Sequence, residues 1–177
     1  AFAYDGPVPS ILSYYDQVLF LGGFGKTYGM PGWRLGYAAG PEDVIERMRA
    51  LQQVSFVCAP APLQHAALVA LELDMKPYVD AYRQKRDRIF DGLKDVLDIV
   101  RPDGAFYLFP RAPGGLDSDT FVDRCVAKNL LVVPGVAFSH ARTHFRVSFA
   151  LEDAVLDQGT ALLRKLAEDA ASEAAEV

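Results

Sequence analysis

Glycine stands at positions 22, 23, 25, 29, 32 and 36, grouped around a single lysine, Lys26, directly after the apolar run Val18-Leu19-Phe20-Leu21. That many glycines in one stretch raise the entropic cost of folding, so they mark a backbone that must turn sharply or come close to something. The pattern predicts a buried strand over Asp16 to Leu21, a tight loop that carries the Lys26 amine over a site, and a second short strand over Trp33 to Ala39. Arg34, eight positions beyond Lys26, adds a second cation to the same loop. A surface lysine on an ordinary turn would account for a lone Gly-x-Lys, but not for this combination.

Gly25-Lys26-Thr27 also ends like the phosphate-cradling loop of nucleotide hydrolases. That loop needs a glycine at position 20, where this chain has Phe20, and starting from Gly22 gives a loop of the wrong size to wrap a diphosphate. A nucleoside triphosphate site is excluded. A net charge of −5 with no basic stripe argues against nucleic acid as a partner. No apolar run approaches the roughly 20 residues of a membrane helix, and no signal peptide opens the sequence, so a cytoplasmic setting is expected. The 51% hydrophobic content is ample for a buried core in one domain or two small ones.

Beyond the glycine-rich loop, Gly40-Pro41 opens a helix whose Glu42 and Asp43 complement the dipole, with Val44, Ile45, Met48 and Leu51 on a packing face. Residues 54–62 carry two prolines and read as a loop. Leu63 to Leu73 is apolar nearly all round and predicts a buried helix, and Met75 to Leu97 predicts a longer amphipathic one. The order then becomes strand (105–109), helix (117–128), strand (130–133), strand (145–150) and helix (152–167), an α+β arrangement of helices laid against a small sheet. The alanine- and acid-rich tail 168–177 is expected to fray.

Cys58 and Cys125 lie far apart without metal-like spacing and read as reduced, packed thiols. His140 and His144 are four apart but lead into a strand with no third ligand, so no metal is expected. His65, in an apolar helical stretch, reads as a hydrogen-bonded structural histidine. Strand parity puts Phe145, Val147 and Phe149 on one face and His144, Arg146 and Ser148 on the other. With the aromatics in the core, Arg146 points outward or into a cleft, where a structural salt bridge and a ligand contact are equally compatible with its spacing.

The stretch from Gly23 to Gly36 resembles the lysine signature of the class I and II aminotransferases, the fold-type I enzymes that use pyridoxal 5'-phosphate. Further segments resemble the same family in the same order: Gly104-Ala105-Phe106-Tyr107-Leu108-Phe109, Val132-Val133-Pro134-Gly135 with Phe138, and His144 through Ala150. The resemblance implies an α/β fold, α+β in the small domain. Residues 1–75 would belong to the large cofactor-binding domain, and 76–177 would form the small domain with its linking helix. It assigns Lys26 to the Schiff-base position, Arg34 to the cofactor phosphate and Arg146 to the substrate α-carboxylate. Such a lysine must be neutral to react, which burial and nearby positive charge would favour.

The resemblance further implies amino acid and 2-oxo acid substrates and a homodimer. The family's partner for the pyridine nitrogen, an aspartate, precedes the segment at which this chain opens, so the chain is expected to be the C-terminal portion of such an enzyme and incomplete for catalysis. Relatives often carry a serine or threonine shortly before the lysine, and Gly23 and Gly25 remove that phosphate contact. Three functions stay open: amino-group transfer, carbon–sulfur β-elimination on the same cofactor, and a non-catalytic fragment or interaction domain.

Overall fold

A computed structural model describes residues 2–175. The chain divides into two compact units, the first ending at Pro77 and the second beginning at Tyr78.

The first unit is built on a hairpin. Strand β1 (Phe20–Gly23) pairs antiparallel with β2 (Gly36–Ala39), in the register Phe20 with Ala39, Gly22 with Tyr37 and Gly23 with Gly36. Gly22 sits directly opposite Tyr37, and a Cβ there would overlap the tyrosine ring. That ring also lies 5.9 Å from Phe20 and 5.8 Å from Phe24, so the missing side chain lets an aromatic cover the hairpin. Two helices follow, α1 (Glu42–Ser55) and α2 (Ala61–Leu71), each entered through a proline. The small core comprises Phe24, Ala67 and Ala70, with Tyr28, Met30 and Leu35 packed against it.

Four expectations for this unit need correction. The strand starts at Phe20 rather than at residue 16, and it is not buried, because the hairpin is a two-stranded sheet with Leu21 67% exposed. Helix α2 is not buried either: Leu68, Val69 and Leu71 are all exposed, and only its two alanines at 67 and 70 enter the core. On α1, Val44, Ile45 and Met48 are half-buried while Leu51 is exposed. The helix also runs through Ser55, so the loop to α2 is shorter than the prolines imply.

The second unit is an α+β sandwich. Helix α3 (Lys76–Leu93) leads into the three-stranded antiparallel sheet of β3 (Tyr107–Leu108), β4 (Val133–Pro134) and β5 (Phe145–Ser148), with β5 in the centre. Helix α4 (Ser118–Val126) lies between β3 and β4 in sequence, and α5 (Asp153–Ala175) closes the unit. Asp117 caps α4, its carboxylate accepting from the backbone N–H groups of Asp119 and Thr120, each at 3.0 Å. On β5 the alternation is complete: Phe145, Val147 and Phe149 are buried, while Arg146 and Ser148 face the other side. Phe145 meets Phe121 of α4 at 5.0 Å, and Ile89, Leu93, Leu156 and Leu163 fill the rest of the core.

Helix α5 continues to Ala175, further than expected. Its last turns are rich in alanine and glutamate, which are strong helix formers, Ala170 is buried, and Glu173 pairs with Arg124 at 2.8 Å. Glu176 and Val177, the end of the tail expected to fray, lie outside the described residues, as does Ala1.

Candidate active site

The loop between β1 and β2 is a compact structure. The ladder continues one step past the strands, Phe24 N–H donating to the Leu35 carbonyl, and the chain then closes on itself through Gly29 N–H to the Lys26 carbonyl. A short 3-10 turn, Pro31–Trp33, brings the chain to Arg34, whose backbone is left-handed at φ 50° and ψ 39°. This conformation is uncommon for a residue with a Cβ, and here it ends the turn and sends the chain into β2. It also folds the guanidinium back on its own turn, where Nη1 donates to the Pro31 carbonyl at 3.2 Å.

Lys26 and Arg34 therefore line one cavity of about 460 Å³, together with Gly23, Gly25, Met30 and Pro31. Its volume falls in the roughly 300–1,000 Å³ range of small-molecule sites. The lining holds two cationic side chains and no carboxylate, a donor set suited to a phosphate. Lys26 is exposed in this chain, contrary to the expectation of a buried amine: the loop packs Phe24, Tyr28, Met30 and Leu35, and not Lys26, into the small core with α2.

Arg146 lies in the second unit, half-buried at the centre of β5 and directly opposite Val133 of β4. Among the described residues no carboxylate pairs with it, and its guanidinium has no hydrogen-bond acceptor from the protein. Its contacts are aromatic: the guanidinium carbon is 4.4 Å from the centroid of Tyr107 and 4.4 Å from that of Phe138. The structural salt bridge weighed from the sequence is absent among the described residues. The two rings were not singled out as partners of Arg146, although the parity of β3 carries a signal. Leu108 is buried opposite Val147, which places Tyr107 on the Arg146 face.

The remaining candidates carry no chemistry of this kind. His144 Nδ1 is 2.8 Å from Thr143 Oγ1 and its ring stacks on Phe109 at 5.4 Å, while His140 is exposed. Among the described residues no group of three histidines, cysteines or carboxylates is placed to hold a metal, and no helix is long and apolar enough to cross a membrane. His65 is exposed rather than structural, on the rim of a second, largely apolar cavity beneath Tyr37. Cys125 is buried and its thiol is pushed up to about 11 by that burial, whereas Cys58 is exposed rather than packed.

A family model described as "Aminotransferase class I and II" matches residues 1–163. The chain is 34% identical over 175 residues to a probable aspartate aminotransferase of Methanocaldococcus jannaschii, covering 93% of this chain and 47% of that protein. It is 32% identical over 178 residues to aromatic-amino-acid aminotransferase 2 of Thermococcus litoralis, covering 93% and 46%. Among solved structures it is similar to the aspartate aminotransferase of Thermotoga maritima, with a TM-score of 0.87 at 29% identity over 94% of this chain and 45% of that one. The chain thus spans about half the length of the curated relatives it matches, and it corresponds to the C-terminal part of the shared fold.

Proposed function

The chain belongs to the class I and II aminotransferase family, and we propose that it carries the reactive amine, the phosphate-binding guanidinium and the carboxylate-binding guanidinium of a pyridoxal-phosphate-dependent aminotransferase. The observation that carries this reading is the cavity shared by Lys26 and Arg34. Two cations and no carboxylate around a glycine-floored hollow fit the cofactor's dianionic phosphate, with a primary amine in the same lining. Pyridoxal phosphate, when bound, supplies an aldehyde that accepts an amine and a ring that takes up electrons from the bonds at the substrate Cα.

The residues of the chain divide the remaining work. Arg34 binds the phosphate and fixes the cofactor end. Lys26 offers Nζ as the amine that holds the cofactor before substrate arrives. Once displaced, the same Nζ would act as the base for the substrate Cα proton and carry it to the carbon that had borne the aldehyde. Arg146 orients the amino acid or 2-oxo acid by gripping its carboxylate, for which a planar two-pronged guanidinium suits better than an ammonium. Lys26 and Arg34 belong to the first unit and Arg146 to the second. The homodimer implied by the resemblance belongs to the same proposal, and light scattering measures it.

A titration of the 177-residue chain with pyridoxal phosphate tests the reading. Binding through Lys26 gives a near-visible absorption band, and borohydride then fixes the added mass on the peptide containing residue 26. The Lys26→Ala chain should show neither. A band of equal strength in Lys26→Ala would refute the assignment. For the chemistry, released ammonia and pyruvate in place of an exchanged amino group would assign the protein to β-elimination instead.

A further inference from the structure

Arg146 meets no carboxylate among the described residues and lies instead against two aromatic faces. We propose that Tyr107 and Phe138 are positioning residues for Arg146, holding its guanidinium so that the N–H edge stays open to a single carboxylate. This rests on the reading of Arg146 given above.

Both rings are delivered by backbone geometry rather than by chance side-chain packing. Tyr107 lies opposite Ser148 in the β3–β5 register, which makes it the diagonal neighbour of Arg146 on the same face of the sheet. Phe138 ends the 3-10 turn Gly135–Ala137, its N–H donating to the Gly135 carbonyl at 2.8 Å. That turn is fastened to the end of β5 by Gly135 N–H to the His144 carbonyl at 2.8 Å, and a Cβ at 135 would overlap the same carbonyl oxygen. Glycine at 135 thus lets the turn come close enough for Phe138 to reach a side chain two residues along the strand. Each ring is braced in turn, Tyr107 by Phe106 at 4.5 Å and Phe138 edge-on by Phe109 at 6.3 Å.

A guanidinium can satisfy its charge in two directions, through its faces and through its in-plane N–H groups. Here two rings engage the cation, while no protein acceptor among the described residues takes the in-plane donors. A purely structural arginine would be expected to spend those donors on the protein, as Arg86 does on Asp87 and the Pro102 carbonyl. Arg146 instead keeps them free while its long side chain is restrained, which lowers the ordering cost of binding a carboxylate.

The test uses the whole 177-residue chain, with succinate as the carboxylate probe and no cofactor. In proton–nitrogen NMR spectra the Arg146 Nε–H signal is expected to be shifted by the neighbouring rings. Phe138→Leu should move that signal toward the position of a free arginine and weaken succinate binding about threefold, the size of an exposed cation–π contact. Tyr107→Phe, which keeps the ring, should leave both readouts close to those of the parent, and Tyr107→Leu should change both. In the Arg146→Ala background, Phe138→Leu should have no further effect on binding. An Arg146 signal that does not respond to Phe138→Leu overturns the inference, and so does equal weakening in the Arg146→Ala background. If Arg146→Ala binds succinate as well as the parent, the carboxylate reading itself falls. If Arg146→Ala loses binding while Phe138→Leu keeps it, only the positioning role falls.

Discussion

At the scale of single residues, Arg34 joins backbone strain to the side chain we assign to the cofactor phosphate. A left-handed conformation costs an L-residue about 1–2 kcal/mol, and glycine adopts it freely. Three glycines lie in the same loop, at 25, 29 and 32, yet this position holds arginine, so the side chain sits against the backbone's preference. Arg34→Gly should therefore raise the melting temperature, by about 1 kcal/mol of stability, while weakening the binding of pyridoxal phosphate. A variant that melts lower than the parent would show that the guanidinium's bond to the Pro31 carbonyl outweighs the strain. The two thiols make a second contrast. Burial holds the Cys125 thiol up at about 11, so very little thiolate forms near pH 8, whereas Cys58 is exposed. Iodoacetamide at that pH should label Cys58 in the native chain and reach Cys125 only after denaturation, which peptide mass mapping will resolve.

At the scale of elements, an ion cluster ties α3 to α5: Lys85 pairs with Asp153 and also donates to the Leu151 carbonyl, and Arg88 reaches Asp157 at 2.6 Å. The hydrogen bond and charge of Lys85 hold the Asp153 carboxyl below its ordinary value of 3.8, with Arg88 adding to the effect. A carboxyl depressed in the folded state contributes stability above its unfolded value and loses that contribution as the pH falls through the folded one. Melting temperatures of the parent should thus fall between about pH 5 and pH 2, and those of Asp153→Asn should fall less, so that the curves converge in acid. Parallel curves would show that this pair is too screened to matter.

The same scale separates what the sequence made legible from what it hid. Glycine spacing located the Lys26 loop between two strands, and parity placed Arg146 off the core face of β5, because both depend on neighbours within a few residues. The exposure of β1 and α2 was hidden. An apolar run reports a preference for burial, but burial itself depends on a covering layer elsewhere. The rings around Arg146 were hidden too, because Tyr107 meets it through cross-strand register and Phe138 through a turn closed by a distant carbonyl. The extent of α5 was missed for a different reason: composition was read as fraying where helix propensity and a buried Ala170 continue the helix.

At the scale of the whole molecule, the two units differ in how much they bury, and that difference sets an order of opening. In the first unit the buried apolar residues are Tyr4, Phe24, Ala67 and Ala70, two of them alanines with little area to remove from water. In the second, Phe121, Phe145, Phe149, Ile89, Leu93, Leu108 and Leu163 are all within 2% of complete burial. At about 25 cal/mol per Å² of apolar surface, large buried side chains dominate local stability. Backbone hydrogen bonds over a thin core open at lower free energy than those over a dense one. Native-state hydrogen exchange on the 177-residue chain should therefore show the amides of β1, β2 and α2 exchanging well before those of α4, β5 and the middle of α5. Saturating pyridoxal phosphate should slow exchange in the Lys26 loop and its flanking strands, since a ligand that binds only the folded unit stabilises it. Equal protection of the two units before cofactor is added would contradict the difference in burial, and loop protection unchanged by the cofactor would contradict its placement at Lys26 and Arg34.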